Sequence, residues 1–299
     1  MKKAVILFNL GGPDKLESVE PFLFNLFNDP AIISIPSIIR YPLAKFISKR
    51  RAPIAKNIYK EIGNKSPILE LTQDQAKNLE NSLSKKGDYK CFVVMRCWHP
   101  RAEKIIKEVK EYNPDEIVLL PLYPQYSAST SGSSIKEWND LCKKENFNIK
   151  TKTICCYPTE NNFLESHALL IKETIKNLEN KNFKLLFSAH GLPENKIKKG
   201  DPYQWQIEQT VQGIIPKLKD ESLDYIISYQ SRVGPLKWIG PSTDEVIIKY
   251  SKEKKGIVIV PVAFVSEHSE TLVELDIEYK KLAEKNGCSF YKRVPALGI

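Results

Sequence analysis

With 299 residues, the chain is long enough for two domains or one large one, with ample core in either case. No tract is apolar enough to span a bilayer as a helix, and six cysteines without a C-x-x-C pair argue against a disulfide framework, a structural zinc or an iron–sulfur cluster, and for a reducing, cytosolic setting. The formal charge of +9 rests mostly on lysine, with only seven arginines among 45 basic residues, so it reads as generic surface charge without a nucleic-acid signature. Those arginines are the informative cations, because a guanidinium grips carboxylates in a planar, bidentate way that lysine cannot.

The first apolar run, Ala4–Leu10, follows two lysines but leads straight into "GGPD" without a cleavage pattern, so it reads as a β-strand rather than a leader. Next comes "PFLFNLFNDPAIISIPSIIRYPLAKFISKRRAP", the most hydrophobic long stretch. Phe22, Phe24, Phe27, Ile32, Ile33, Ile35, Ile38 and Ile39 exceed what one buried helix face needs, and Pro30 and Pro36 interrupt the run. Such an apolar lip, ending in Arg50 and Arg51, suits a large flat ligand bearing carboxylates, or a membrane surface; a locally buried helix pair would use the same pattern.

Further strands are predicted at Tyr89–Met95, Glu116–Leu122, Ile149–Cys155, Lys184–Ala189, Asp224–Tyr229, Gly256–Val262 and, weakly, Cys288–Tyr291. Between them, stretches such as "AEKIIKEVKEY" and "LESHALLIKETIKNLE" carry apolar residues at helical spacing. Strand–helix alternation implies parallel sheets covered on both faces, here in two similar α/β halves of four strands each.

In open parallel sheets, ligands bind beyond the carboxyl ends of the strands. Those ends read "GGPD", "RCWHP", "YPQYSASTSGSS", "HGLP", "QSRVGPLKWIGP" and "FVSEHSETL", so the unusual chemistry gathers at one rim. A histidine at a strand end is more often a hydrogen-bonded turn residue than a catalyst. The company of the other polar strand ends is what turns His190 into a candidate. In "VSEHSETLVELDIEYK", Glu267, Glu270, Glu274 and Glu278 follow steps of three, four and four, which would stack them on one face of an α-helix, with Leu272, Leu275 and Tyr279 opposite. An ordinary charged face is solvated. This one starts at a strand end beside His268 and has no lysine to relieve like-charge repulsion of about 0.2–0.5 kcal/mol per pair. It reads as a path for protons or a passing divalent cation rather than a resident metal site.

Taken together, "NLGGP", "LFNDP", "KRRAP", "YPQYSASTSGSS", "SAHGLP", "GDPY", "YQSRVGPLKWIGP", "PVAFVSEHSETLVELDIEY" and "RVPAL" lie in an order, along almost the whole chain, that resembles the ferrochelatases, which insert Fe2+ into a porphyrin at the end of protoporphyrin-dependent haem synthesis. The resemblance implies two Rossmann-like domains, each a four-stranded parallel sheet flanked by helices. Residues 1–155 would carry the apolar lip, and residues 156–299 the catalytic histidine and acidic helix. It also implies His190 facing the pyrrole nitrogens with Glu270 as its partner carboxylate, and His190, Glu270, Glu267, His268 and Glu274 meeting the metal, with Glu278 continuing the route. Arg50, Arg51, Tyr59 and Ser66 fall on propionate-holding positions, Leu10, Phe27, Ile33 and Trp238 where apolar side chains press on the macrocycle, and Arg96 opposite His190 across the ring.

The chemistry asks for such residues. Insertion removes two N–H protons while the ring is bent to expose its nitrogen lone pairs, and binding energy from lip and clamps can supply that strain. The expected partners are protoporphyrin IX and ferrous iron as substrates, with peripheral contact at the inner face of a membrane and no nucleic acid. No cofactor is expected: Ala128 stands where some relatives have a cluster cysteine. Cys97 and Ile54 depart from the family's usual tyrosine and lysine, and "VPALGI" stops short of a further expected helix. A non-catalytic porphyrin or haem carrier, or a chelatase for coproporphyrin or another tetrapyrrole, are the alternatives. A carrier would need the lip and the arginines but not a His190–Glu270 pair.

Overall fold

A computed structural model describes residues 1–179, 182–220, 222–232 and 236–299; Val233–Pro235, in the middle of "YQSRVGPLKWIGP", lie outside the described residues. The chain divides into two compact units, Met1–Cys156 together with Ile299, and Tyr157–Gly298.

The first unit begins with β1 (Lys2–Asn9), in which every residue from Ala4 to Phe8 is buried although successive side chains point to opposite faces. Such a strand needs cover on both sides. The cover comes from α3 (Ile68–Ser84), α4 (Ala102–Tyr112) and α5 (Ser131–Lys144), which flank β2 (Asp88–Met95), β3 (Glu116–Pro121) and β4 (Lys150–Thr153), while α1 (Val19–Phe27) and α2 (Ser37–Lys60), between β1 and α3, pack on each other in a separate apolar cluster. In α4 the stripe Ile105, Ile106 and Val109 is buried, and the helix stops at Asn113 in the left-handed region (φ 52°, ψ 65°). Phe8 and Trp138 meet edge-to-face at 5.8 Å in the core on that side of the sheet. All pairings are parallel, in the order β2-β1-β3-β4. The outer strand β4, "KTKT", is exposed throughout, and Lys150 and Lys152 reach back to the buried Glu116 at 3.5 and 3.0 Å, giving the sheet a charged edge.

The second unit repeats the scheme with α6 (Asn161–Lys176), β5 (Phe183–His190), α7 (Glu194–Lys198), α8 (Tyr203–Leu218), β6 (Tyr225–Gln230), α9 (Thr243–Lys252) and β7 (Gly256–Pro261). A π-helix (Glu270–Glu278) follows, runs on into α10 (Tyr279–Lys285), and leads to β8 (Tyr291–Arg293). The order β6-β5-β7-β8, again parallel, is the same permutation as in the first sheet. In both sheets the winding direction reverses beside the first strand of the unit, which is where doubly wound sheets open a crevice for ligands. Among the described residues no helix is long and apolar enough to cross a membrane.

The two parallel α/β halves are as the sequence predicts, and most strands lie within a residue or two of their expected bounds. Two weak edges differ. β4 is shorter than Ile149–Cys155, and the last strand forms at Tyr291–Arg293 rather than Cys288–Tyr291. There the Cys288 thiol turns back to donate to the carbonyls of Phe290 (2.7 Å) and Lys255 (3.2 Å), so residues 288–290 form the approach to the strand. The acidic segment is also not the α-helix that its spacing predicts. Its hydrogen bonding is wider, and the Tyr279 N–H donates to the Glu274 carbonyl, five residues back.

One core residue of the second unit is out of place chemically. His167 sits in the buried stripe of α6 with Phe163, Leu164, Ala168 and Ile171, is 1% exposed, and has no hydrogen-bond partner on either ring nitrogen. Its ring meets the Phe163 ring edge-to-face, with centroids 4.8 Å apart. Burial pushes its pKa from 6.5 down to about 4, so the ring stays neutral in the fold. The unfolded chain therefore binds a proton that the folded chain refuses between those two values, and stability falls as pH drops through that window, by about 3 kcal/mol in full. His167→Leu should remove this loss. Urea unfolding at pH 7 and pH 4 should show the variant-minus-wild-type difference growing by about 3 kcal/mol; a difference that stays constant would assign the acid loss to other groups.

Candidate active site

β5 delivers His190 as its last residue, paired in register with Gln230 at the end of β6. The next residue has to be small. A Cβ on Gly191 would lie 2.8 Å from the Gln230 carbonyl, 3.1 Å from Arg232 and 3.3 Å from the Trp238 ring, while the Gly191 N–H donates to that same carbonyl at 2.7 Å. Trp238 is thus packed beside the turn that carries His190, held there by a bridge to Pro193.

The His190 ring is 41% exposed and its tautomer is fixed. Nδ1 lies 2.6 Å from the Gly191 carbonyl, which can only accept, so in the neutral ring Nδ1 carries the hydrogen and Nε2 the lone pair. Nε2 faces Glu270 Oε1 at 3.7 Å. The other carboxylate oxygen, Oε2, is buried without a hydrogen-bond partner and lies 3.9 Å from His268 Nε2. His268 is packed on Phe264 (4.6 Å), its Nδ1 is also unpartnered, and burial lowers its pKa below the usual histidine value. A half-exposed imidazole with a free lone pair therefore looks onto an under-satisfied carboxylate backed by a neutral imidazole.

Glu274, one π-turn further on, is the opposite case. Its carboxylate accepts from Gln230 Nε2 (3.1 Å), the Ser231 N–H (3.0 Å), Ser231 Oγ (2.5 Å) and the Tyr279 hydroxyl (3.0 Å). Burial, and then the Glu270 charge, raise its pKa against the pull of those donors. The Gln230 amide is aimed from below: Ser188 Oγ donates to its Oε1 at 2.7 Å, which turns the NH2 end towards Glu274. Ser231 reaches Glu274 with both backbone and hydroxyl by taking a left-handed conformation (φ 58°), a strain on the order of 1 kcal/mol for a residue with a side chain.

Glu267 does not join this row. It precedes the π-helix and is bound by Arg293 Nη1 (2.9 Å) and the Ala296 N–H (3.0 Å). Arg293 also grips Asp276 with two parallel bonds of 2.6 and 2.8 Å, tying the π-helix to β8. Glu278 is exposed at the end of the helix, and Leu272 is half-buried where the α-helical spacing places it in the core, whereas Leu275 and Tyr279 are buried as expected. Among the described residues no group of three or more His, Cys, Asp or Glu side chains gathers as a metal cage. The donors that do converge, an imidazole and a carboxylate, suit a borderline cation in passing.

In the first unit, Leu10, Phe27 and Tyr59 belong to one apolar cluster with Phe22, Cys97 and Trp98. Ser66 is buried against Gly12, where an added Cβ would come within 2.5 Å of it. Ile33 is half-buried and follows Asp29, whose carboxylate accepts from the Ala31 N–H (2.8 Å), Ser133 Oγ (2.5 Å) and Arg96 (3.0 Å). Arg96 also donates to Ser133 (2.8 Å) and Glu137 (3.0 Å), and its side chain is 13% exposed, so its guanidinium is largely engaged inside the unit. Arg50 is exposed and Arg51 half-buried on α2, and no carboxylate of the described residues of this unit lies at ion-pair distance from either. A separate cleft of about 680 Å³ along the β2 edge contains none of these residues. There Glu80 accepts the Cys91 N–H at 2.7 Å and so caps the open strand.

Sequence reasoning missed Gln230, Ser231 and Arg293 as parts of the site, although all three lie in segments quoted as motifs. Their signal was position directly after or within a strand end, without a residue type that advertises chemistry.

The family model for ferrochelatases matches residues 2–299. A ferrochelatase of Pelagibacter ubique is 68% identical over 301 aligned positions, covering 100% of this chain and 87% of the relative. One of Rickettsia felis is 52% identical, covering 100% and 86%, and one of Caulobacter vibrioides is 51% identical, covering 99% and 86%. Among solved structures, SirB from Bacillus subtilis with Fe3+ aligns with a TM-score of 0.53 at 13% identity over 100% of this chain and 89% of its own. DR2241 from Deinococcus radiodurans, described as similar to chelatases, aligns at 0.51 and 8% identity over 99% and 51%. At such identities the structural likeness speaks to the fold.

The Arg293 clamp generates a prediction. Replacing Arg293 by Leu leaves Glu267 and Asp276 without their shared cation, and should lower stability by about 3 kcal/mol in urea unfolding. A loss below 1 kcal/mol would mean that the two carboxylates find water instead.

Proposed function

Because the chain belongs to the ferrochelatase family and inserts ferrous iron into a porphyrin in haem biosynthesis, we propose that His190 is the base that takes the pyrrole protons and that Glu270 stabilises the imidazolium so formed. The observation that carries this reading is the 2.6 Å bond from Nδ1 to the Gly191 carbonyl, because it leaves Nε2 as the basic nitrogen on the side of Glu270. A proton arriving on Nε2 meets a carboxylate 3.7 Å away, and Glu274, whose pKa burial raises, is the next acid along the segment that could take it on. His268, kept neutral by burial, backs Glu270 without competing for charge. The same donors, His190 and Glu270 with His268 and Glu274 behind them, meet ferrous iron as a substrate; Glu267 serves by anchoring the segment to Arg293.

The porphyrin is protoporphyrin IX in this reading. Leu10, Phe27, Ile33 and Trp238 contact the macrocycle. Arg50 and Arg51, together with the more buried Tyr59 and Ser66, hold its propionates, while Arg96 steadies the lip through Asp29. Two adjacent arginines at the end of the lip offer two bidentate grips, which matches a ring with two carboxylates. The enzyme works without an iron–sulfur cluster, in the cytoplasm, at the inner face of the membrane. The support for membrane contact is the outer face of α2, where Ile38 is 83% and Phe46 63% exposed, beside Ile39 and Tyr41.

An anaerobic assay with protoporphyrin IX and Fe2+, following the porphyrin-to-haem absorbance change, tests the chemistry. His190→Ala should lose about 10²–10⁴-fold in kcat while still quenching porphyrin fluorescence on binding. A variant with wild-type turnover would remove His190 from the reaction. For the membrane, Ile38→Asp with Phe46→Asp should abolish most sedimentation with phosphatidylglycerol–phosphatidylethanolamine vesicles while leaving the urea unfolding midpoint unchanged, since both side chains are exposed. Unchanged sedimentation would exclude α2 as the contact.

A further inference from the structure

Two cysteines stand apart from the rest. Cys91 and Cys97 are pushed up to about 12, and Cys142 to about 11, by burial. The Cys288 thiol is raised as well, by burial first, and is engaged by two carbonyls. These four behave as inert structural thiols. Cys155 is exposed, Cys156 is half-buried, and their sulfurs lie 3.4 Å apart on adjacent residues just past the end of β4.

Cys155 also lines a cleft of about 460 Å³ with Tyr126, Lys136, Asp140 and Lys143. Lys136 is paired with Asp140 at 2.5 Å, whereas Lys143 is exposed and has no carboxylate partner among the described residues. The cleft is therefore net positive where it meets the thiol. A small, carboxylate-bearing molecule can lodge there with its own sulfur beside Cys155, whereas a neutral one gains nothing from Lys143.

We infer that Cys155 and Cys156 form a thiol–disulfide exchange site for an acidic low-molecular-weight disulfide of the glutathione type, with the exposed Cys155 as the attacking residue and Cys156 as the resolving one. The Cys155 thiolate attacks one sulfur of the bound disulfide, whose S–S bond breaks. One thiolate leaves and takes up the proton that Cys155 gave, and a mixed disulfide remains on Cys155. The Cys156 thiolate then attacks the Cys155 sulfur, the mixed disulfide breaks, and the second thiol departs with the proton from Cys156. The protein pair loses two electrons and two protons, and the small disulfide gains them as two thiols. The product ring is strained, because Cα atoms of adjacent residues are about 3.8 Å apart across a trans peptide, below the usual disulfide span of about 4.4–6.8 Å. Strained, exposed disulfides are readily reduced, so the modification is reversible by the same class of thiol.

The test uses the full chain, reduced, desalted and incubated without oxygen with oxidised glutathione, then alkylated and weighed as peptides. Wild type should give a 155–156 peptide that lacks two hydrogens and resists alkylation, and excess reduced glutathione should restore it. Cys156→Ser should accumulate a glutathione adduct on Cys155, and Cys155→Ser should form neither product. Lys143→Glu should slow oxidation by oxidised glutathione about tenfold while leaving the rate with neutral hydroxyethyl disulfide unchanged. Full alkylation of both cysteines in wild type, or modification of Cys91, Cys97, Cys142 or Cys288 at the same rate as the pair, would overturn the site. Equal slowing of both disulfides by Lys143→Glu would overturn its preference for an acidic ligand.

Discussion

Parallel pairing of β5 with both of its neighbours is the constraint from which the chemistry of the second unit follows. Because β5, β6 and β7 run the same way, their chains leave the sheet on one side, and His190, Gln230 and the segment leading to Glu270 emerge together. The register then does what no long-range design could do more cheaply: it sets His190 beside Gln230, whose carbonyl receives the Gly191 N–H and whose amide holds Glu274. His190 and Glu274 are thus referred to one pair of strand ends. The side chains of Ser188, Gln230, Ser231 and Tyr279 then complete the hold on Glu274 that the register begins.

The site also separates two carboxylates by environment. Glu270 is left with an unpartnered oxygen near two imidazoles, whereas Glu274 is saturated by four donors. Two acids four residues apart on one segment thus sit in very different surroundings. The left-handed Ser231 is the local cost of that saturation. Strain of this sort persists where the surroundings over-determine it, as they do between β6 and the π-helix.

Much of this was legible in the sequence. Apolar runs of strand length gave the sheets, and the shared rim gave His190 its company. What periodicity could not reveal was the π-helix, since steps of three and four are the signature of α-helical turns and a wider turn leaves no mark in residue type. Nor could it reveal where Glu267 would go. A carboxylate near a cleft pairs with whichever cation the fold brings up, and here Arg293 arrives from a strand 26 residues later. Arg96 follows the same logic in the first unit, where Asp29, Ser133 and Glu137 engage it from segments far apart in sequence. Side chains that act through backbone geometry, such as Ser231, carry the weakest signal of all.

The division of the chain into two contiguous stretches bears on how the protein is made. The last strand of the first sheet ends at Thr153, and among the described residues the two core clusters on that sheet are built from residues that precede Tyr157. As the chain emerges from the ribosome, the amino-terminal half therefore holds the residues of both these core clusters before the segment bearing His190 has been synthesised. Only after β7 and β8 are complete can the second half do the same. For much of translation a nascent chain can thus be half folded and wholly inactive, and chaperones would meet chiefly the unfinished carboxyl-terminal half.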